Sequence, residues 1–239
     1  MKSVLERSGY TDINISRDLT GDGILRAINT FSNNGGTNND VTFLYYSGHG
    51  GSDKSPIAQR GALVGIDGIF VPVDEVRKIL DNVPGTVIAV FDSCLSGQFI
   101  QTKASDGVDN PADPVTFNNA VINAFSSGAD QNRSLTDHAS SSKYKVFTAS
   151  EPLQNSVSVG FTNNKYIGLM TYFFAKGAGV DFLSGTTPAS ADTNNDKNIS
   201  LNEMYIYVNN GIRNFNLSGG TQNVQVWPAS SSYAILSVP

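Results

Sequence analysis

The chain is poor in cysteine, histidine and charge. Cys94 is the one cysteine among 239 residues, so no intramolecular disulfide can staple the fold. A lone cysteine is either a small buried apolar side chain or a nucleophile, and a nucleophile needs a base beside it in space. Only His49 and His138 are available as imidazole bases, and His138 sits in a polar stretch that reads as solvated loop. Charged residues make up 15% of the chain, the net charge is −5, and Lys and Arg form no cluster. A nucleic-acid partner, which favours a basic face, is therefore not expected. No apolar run approaches the length of a membrane span. Met1 to Tyr10 is polar and helix-like, with no signal-peptide pattern. No internal repeat is visible, and nothing fixes an oligomeric state.

What is present is 39% apolar residues, enough to bury a core, set in a background of Gly, Ser, Thr and Asn. Residues 1–9 read as the tail of a helix, and a short strand is expected near Ile13–Ile15. Thr20 or Asp22 caps a helix with Ile24, Ala27, Ile28 and Phe31 on one face. Val41–Tyr46 and Thr86–Phe91 are continuous apolar runs of β-formers, the pattern of strands covered on both faces in a parallel sheet. Asp67-Gly68 between apolar segments signals a hairpin. A helix follows over Val73–Val83, broken by Pro84-Gly85. Residues 101–143 form a polar linker with one expected helix at Pro114–Phe125. Tyr144–Thr148 reads as a strand, Tyr166–Lys176 and Ser200–Phe215 as helices, and the tail as irregular with a final short strand. The alternation predicts a three-layer α/β/α sandwich around a mostly parallel central sheet, one domain over 1–239.

Ligands of open parallel sheets bind where strands end at their carboxyl edges. Two strands here run into Ser47-Gly48-His49-Gly50 and into Asp92-Ser93-Cys94, placing an imidazole and a thiol at neighbouring ends. Histidine can take the thiol's proton, and the thiolate is the attacking species. The amides of Gly50 and Cys94 are candidate donors to a developing oxyanion. Gly48 and Gly50 are expected to leave the backbone beside His49 open to a substrate chain.

Phe43-Leu-Tyr-Tyr-Ser-Gly-His-Gly50 resembles the histidine motif of the caspase/metacaspase family, and Val87-Ile-Ala-Val-Phe-Asp-Ser-Cys-Leu-Ser-Gly97 resembles its cysteine motif. The metacaspase branch, with Asp-Ser-Cys before Ser-Gly, is the nearer one. Lys145–Ser150 is similar to the strand after the linker in bacterial members. The resemblance covers about residues 10–235. It implies a large-subunit-like part over 1–100, the linker over 101–143 and a small-subunit-like part over 144–239. It further implies a cysteine endopeptidase of Cys/His dyad type, with His49 and Cys94 in those roles. In metacaspases an acidic pocket accepts Arg or Lys, and the matching positions are Asp92 and Ser47. A carboxylate there would pair with a guanidinium or ammonium group and repel an Asp side chain. One departure stands out: the family's first strand, which precedes the first helix, has no counterpart in this sequence.

Asp192-Thr-Asn194-Asn-Asp196-Lys-Asn198-Ile-Ser200-Leu-Asn-Glu203 has the ligand spacing of an EF-hand calcium loop, with Asp192, Asn194, Asp196, Asn198 and Glu203 as candidate metal ligands. Lys197 stands where Gly is usual, and Ser200-x-x-Glu203 also reads as a helix capping box. Metacaspases are often calcium-activated, so Asp106, Asp109 and Asp113 in the linker are further acids to consider. If the pocket takes Arg or Lys, then Lys103, Arg133, Lys143 or Lys145 could be an autoprocessing site of a zymogen, with Arg133 foremost. The partner implied is a protein or peptide substrate, and no organic cofactor is expected. Two other readings remain at this stage: a non-catalytic interaction module of the same fold, and a same-fold peptidase with Asn or Asp preference. The composition suits a secreted or cell-surface bacterial protein.

Overall fold

The computed structural model describes residues 1–34, 36–53, 60–94, 142–149, 156–161, 165–215, 222 and 224–239. Arg133, the acids at 106, 109 and 113, and the helix expected at 114–125 lie outside the described residues.

In chain order the elements are helices α1 (Lys2–Arg7) and α2 (Gly21–Asn33), strands β1 (Val41–Asp53), β2 (Arg60–Val64) and β3 (Phe70–Pro72), helix α3 (Val73–Asp81), strands β4 (Thr86–Cys94), β5 (Tyr144–Thr148), β6 (Ser158–Phe161) and β7 (Lys165–Gly168), helix α4 (Leu169–Gly177), strands β8 (Val180–Asp181), β9 (Gly185–Thr186) and β10 (Asn198–Ser200), helix α5 (Leu201–Asn214), and strands β11 (Gln225–Trp227) and β12 (Ala234–Ser237). The six-stranded sheet runs β11-β5-β4-β1-β2-β3. Its centre, β1, β4 and β5, is parallel, and β2, β3 and β11 pair antiparallel at the flanks.

The apolar runs are buried on both faces, as a central parallel strand requires. Ile88 and Val90 of β4 join a cluster with Leu5, Leu169, Phe174 and Met204, drawn from α1, α4 and α5. Val87, Ala89 and Phe91 join the opposite cluster with Ile24, Ile28, Val76 and Leu80 from α2 and α3. The alternation along one strand therefore separates two helical layers, the three-layer sandwich.

Local chemistry fixes the ends. Thr20 Oγ1 accepts the Gly23 N–H at 3.1 Å and caps α2. Ser200 and Glu203 form a reciprocal capping box on α5. Gly68, at φ 76°, turns the β2–β3 hairpin, and Asp67 Oδ1 accepts the Gly21 N–H at 3.1 Å, pinning the hairpin to the start of α2.

Several expectations change. Ile13–Ile15 forms no strand. The chain from Gly9 to Leu19 lines a cavity of about 1500 Å³ across from β1 and α2, and it joins no sheet among the described residues. Along Val41–Leu44, the edge of β1 away from β4 likewise meets no strand among the described residues. Tyr166 belongs to the β6–β7 hairpin, and α4 starts three residues later. The tail supplies β11, which extends the main sheet beside β5.

Candidate active site

The parallel pairing of β1 with β4 runs without a slip from Val41 opposite Thr86 to His49 opposite Cys94. Neighbouring strands lie about 4.8 Å apart, so the two residues begin from adjacent backbone positions. Strand alternation gives Tyr45, Ser47 and His49 one face of β1, the face that looks towards α4. His49 is exposed. β1 does not stop there, however. Gly50 is buried opposite Leu63 and opens a second, antiparallel pairing with β2 that continues to Asp53.

Tyr46 braces this passage. Its hydroxyl lies 2.7 Å from the His49 carbonyl oxygen, 3.1 Å from the Val64 carbonyl oxygen and 3.3 Å from the Val64 N–H. Burial pushes the Tyr46 phenol up to about 12, against the lowering effect of its bond to Val64. Gly48 makes room for that hydroxyl, since a Cβ there would come within 2.6 Å of it. The space at Gly48 is thus filled by Tyr46 and does not lie open to substrate, a correction to the expectation from sequence.

Two residues before the His49–Cys94 rung, Ser47 stands opposite Asp92. Ser47 is exposed, whereas Asp92 is 1% exposed. Asp92 reaches the N-terminus of α4. The Thr171 N–H donates to Asp92 Oδ2 at 3.1 Å, and the Thr171 hydroxyl donates to the same oxygen. Gly168, the N-cap of α4, has no side chain to cap the helix, and Asp92 takes that place from another element. Burial raises the Asp92 pKa above the ordinary carboxylate range, and the two Thr171 bonds pull it back in part. Oδ1 is buried and accepts no hydrogen bond among the described residues. Thr171 and Gly168 have no signal in the sequence, because 79 positions separate Thr171 from the carboxylate it holds.

The 192–203 loop folds upon itself. Asp192 accepts the N–H groups of Asp196 and Lys197 at 3.2 and 3.1 Å, and Asp196 Oδ1 accepts that of Asn198 at 2.8 Å. Asn194 Oδ1 accepts the Asp196 N–H at 2.9 Å. Lys197 holds φ 67°, the left-handed conformation for which Gly is usual at this position. Both Glu203 oxygens are engaged, Oε1 by Thr193 and Oε2 by Ser200. Burial raises the Glu203 pKa, but these bonds outweigh it and hold the group below its usual value. Among the described residues no three or more His, Cys, Asp or Glu side chains converge as a metal cage.

Lys145 is fully buried in β5 with strands on both sides, so it cannot serve as an accessible processing site. The Lys143 ammonium donates to the Asp81 carbonyl at 2.7 Å.

A sandwich with a histidine and a cysteine on one rung at the carboxyl edge of its parallel sheet defines the class. Residues 1–223 match the Caspase domain family, and the chain belongs to it. The family is one of cysteine peptidases. No curated protein matches the sequence. A Geobacter sulfurreducens protein of known crystal structure is similar over 94% of this chain and 80% of its own, at 16% identity and a TM-score of 0.48. No helix among the described residues is long and apolar enough to cross a membrane.

Proposed function

We propose that the chain is a cysteine endopeptidase that cleaves after Arg or Lys, with His49 and Cys94 as its dyad. The pairing of His49 with Cys94 on one rung is the observation that carries the reading. His49 removes the thiol proton, and Cys94 sulfur attacks the scissile carbonyl carbon. The amides of Gly50 and Cys94 receive the negative oxygen. Collapse breaks the C–N bond, and the imidazolium returns the proton to the departing amine. Water, deprotonated by His49, then cleaves the thioester and frees the thiol.

The preference for a basic residue rests on Asp92. A buried carboxylate with an unfilled acceptor favours a cationic partner, since unmet buried acceptors are costly. Ser47, on the facing position of β1, is assigned to the same pocket by that register. A buried anion also disfavours an acidic substrate side chain.

Calcium enters through Asp192, Asn194, Asp196, Asn198 and Glu203. The ligand spacing and the left-handed Lys197 fit such a loop, and the ion would draw Glu203 from Thr193. Self-cleavage after Arg133 belongs to the same reading.

Fluorogenic peptides ending in Arg, Lys, Asn or Asp, with and without calcium, test the proposal. Cleavage of the Arg and Lys reporters, lost in Cys94→Ala, is expected. Labelling of Cys94 by a peptidyl-Arg chloromethyl ketone should appear as a mass shift. An unlabelled, inactive protein would instead be a binding module, and preference for Asn or Asp would remove Asp92 from the pocket. Calorimetric calcium titration of the wild type and Glu203→Gln tests the loop, and N-terminal sequencing of processed material tests Arg133.

A further inference from the structure

Asp92 is gripped on one side only. The Thr171 amide and hydroxyl both donate to Oδ2, and no described residue donates to Oδ1. Thr171 is 3% exposed and stands in the first turn of α4, whose free N–H groups favour an anion. Behind it, the Tyr45 hydroxyl lies 2.8 Å from Thr171 Oγ1. With the threonine proton committed to the carboxylate, Tyr45 is the donor of that bond. Tyr45, Thr171 and Asp92 therefore form a directed relay from the middle of β1 through α4 to the end of β4. Gly168 closes the arrangement from below, because a Cβ there would overlap the carboxylate.

A carboxylate has a broad, weakly restrained terminal torsion. Two donors on one oxygen remove that freedom and leave the other oxygen at a fixed position. Resting on the reading of Asp92 as the pocket acid, we propose that Thr171, supported by Tyr45, is the positioning residue that turns Asp92 Oδ1 towards the substrate's guanidinium or ammonium group. Thr171 touches no reacting atom. Its effect is on selectivity for a charged side chain and passes through Asp92.

The test compares peptidyl-Arg with peptidyl-citrulline reporters, which match in shape and differ in charge. Thr171→Val keeps the size of the side chain and removes the hydroxyl. It should lower the Arg-to-citrulline ratio of kcat/KM about tenfold, as loss of a charge-assisted hydrogen bond does, chiefly through KM for Arg. Citrulline cleavage should change little, and Thr171→Ser should restore the ratio to within about twofold. Tyr45→Phe should lower it about threefold, and it carries the test should Thr171→Val fail to fold. Asp92→Asn should abolish the preference. If Thr171→Val and Tyr45→Phe keep the wild-type ratio while Asp92→Asn loses it, the positioning role is wrong and the pocket reading stands. If Asp92→Asn keeps the ratio, or the wild type does not favour Arg, both fall.

Discussion

His49 stands across from Cys94 on the last rung of the parallel β1–β4 ladder, and Ser47 across from Asp92 two residues earlier. One register thus sets the backbone of His49 beside that of Cys94, and Ser47 beside the buried Asp92. A one-residue slip of β1 would send His49 and Ser47 to the face away from their β4 partners.

Cys94→Ala and His49→Ala should each reduce cleavage of a peptidyl-Arg reporter by about 10³-fold or more. The double variant should be no worse than the poorer single one, because the two residues act as one unit. Steady-state kinetics on the three proteins reads this directly. Additive losses would mean that they do not cooperate.

The acid–base balance of Asp92 should appear in the pH dependence of selectivity. Burial raises its pKa above 3.8, so a proton competes with the substrate's cation for the carboxylate. The Arg-to-citrulline ratio should rise with pH through the raised value and then level off. The folded state binds this proton more tightly than the unfolded chain does. Stability from this group therefore falls as pH rises from 3.8 through the folded pKa. Asp92→Asn should remove that fall in urea midpoints.

Lys145 should give the opposite slope in alkali. It is fully buried, its ammonium donates to the Ser142 carbonyl at 2.8 Å, and it lies 4.8 Å from the Tyr233 ring centroid. Burial lowers its pKa from 10.5 to about 8. Between those values the unfolded chain holds the proton and the folded one releases it. Stability should rise across that window by at most about 1.4 kcal/mol per pH unit. Urea titrations from about pH 8 to 9.5, below the main ionisation of unfolded tyrosines, should show the rise in wild type and not in Lys145→Met.

Gly48→Ala should destabilise the fold by about 1–3 kcal/mol, the range for overpacking a filled site. The new methyl would meet the Tyr46 hydroxyl, which already bonds His49 and Val64. Chemical denaturation measures the loss, and peptidase activity should fall with it as the His49 backbone shifts. An unchanged midpoint would show that Tyr46 yields freely.

Much of this architecture was legible because the decisive segments agree at every level. Val41–Tyr46 and Thr86–Phe91 are short, largely apolar and β-rich, and are followed by polar motifs, which favours strands over buried helices. The Thr20 cap and the Ser200–Glu203 box are local signals that the structure repeats. What could not be read depends on distant partners. Ser47 to Asp53 is rich in Gly and Ser and lies past the expected strand end at Tyr46, but pairing with β4 and then with β2 makes it strand. Ile13–Ile15 has the composition of a strand and pairs with none among the described residues. Thr171 lies on a helix the sequence marks with its start three residues early, yet nothing local announces that its hydroxyl meets Asp92.

Along Val41–Leu44 the border of β1 away from β4 pairs with no strand among the described residues, and that bears on how this protein behaves when concentrated. Amide and carbonyl groups on an unmatched strand act as a template for any extended backbone that drifts past, another copy included. An extended peptide offered to that border would compete with such pairing.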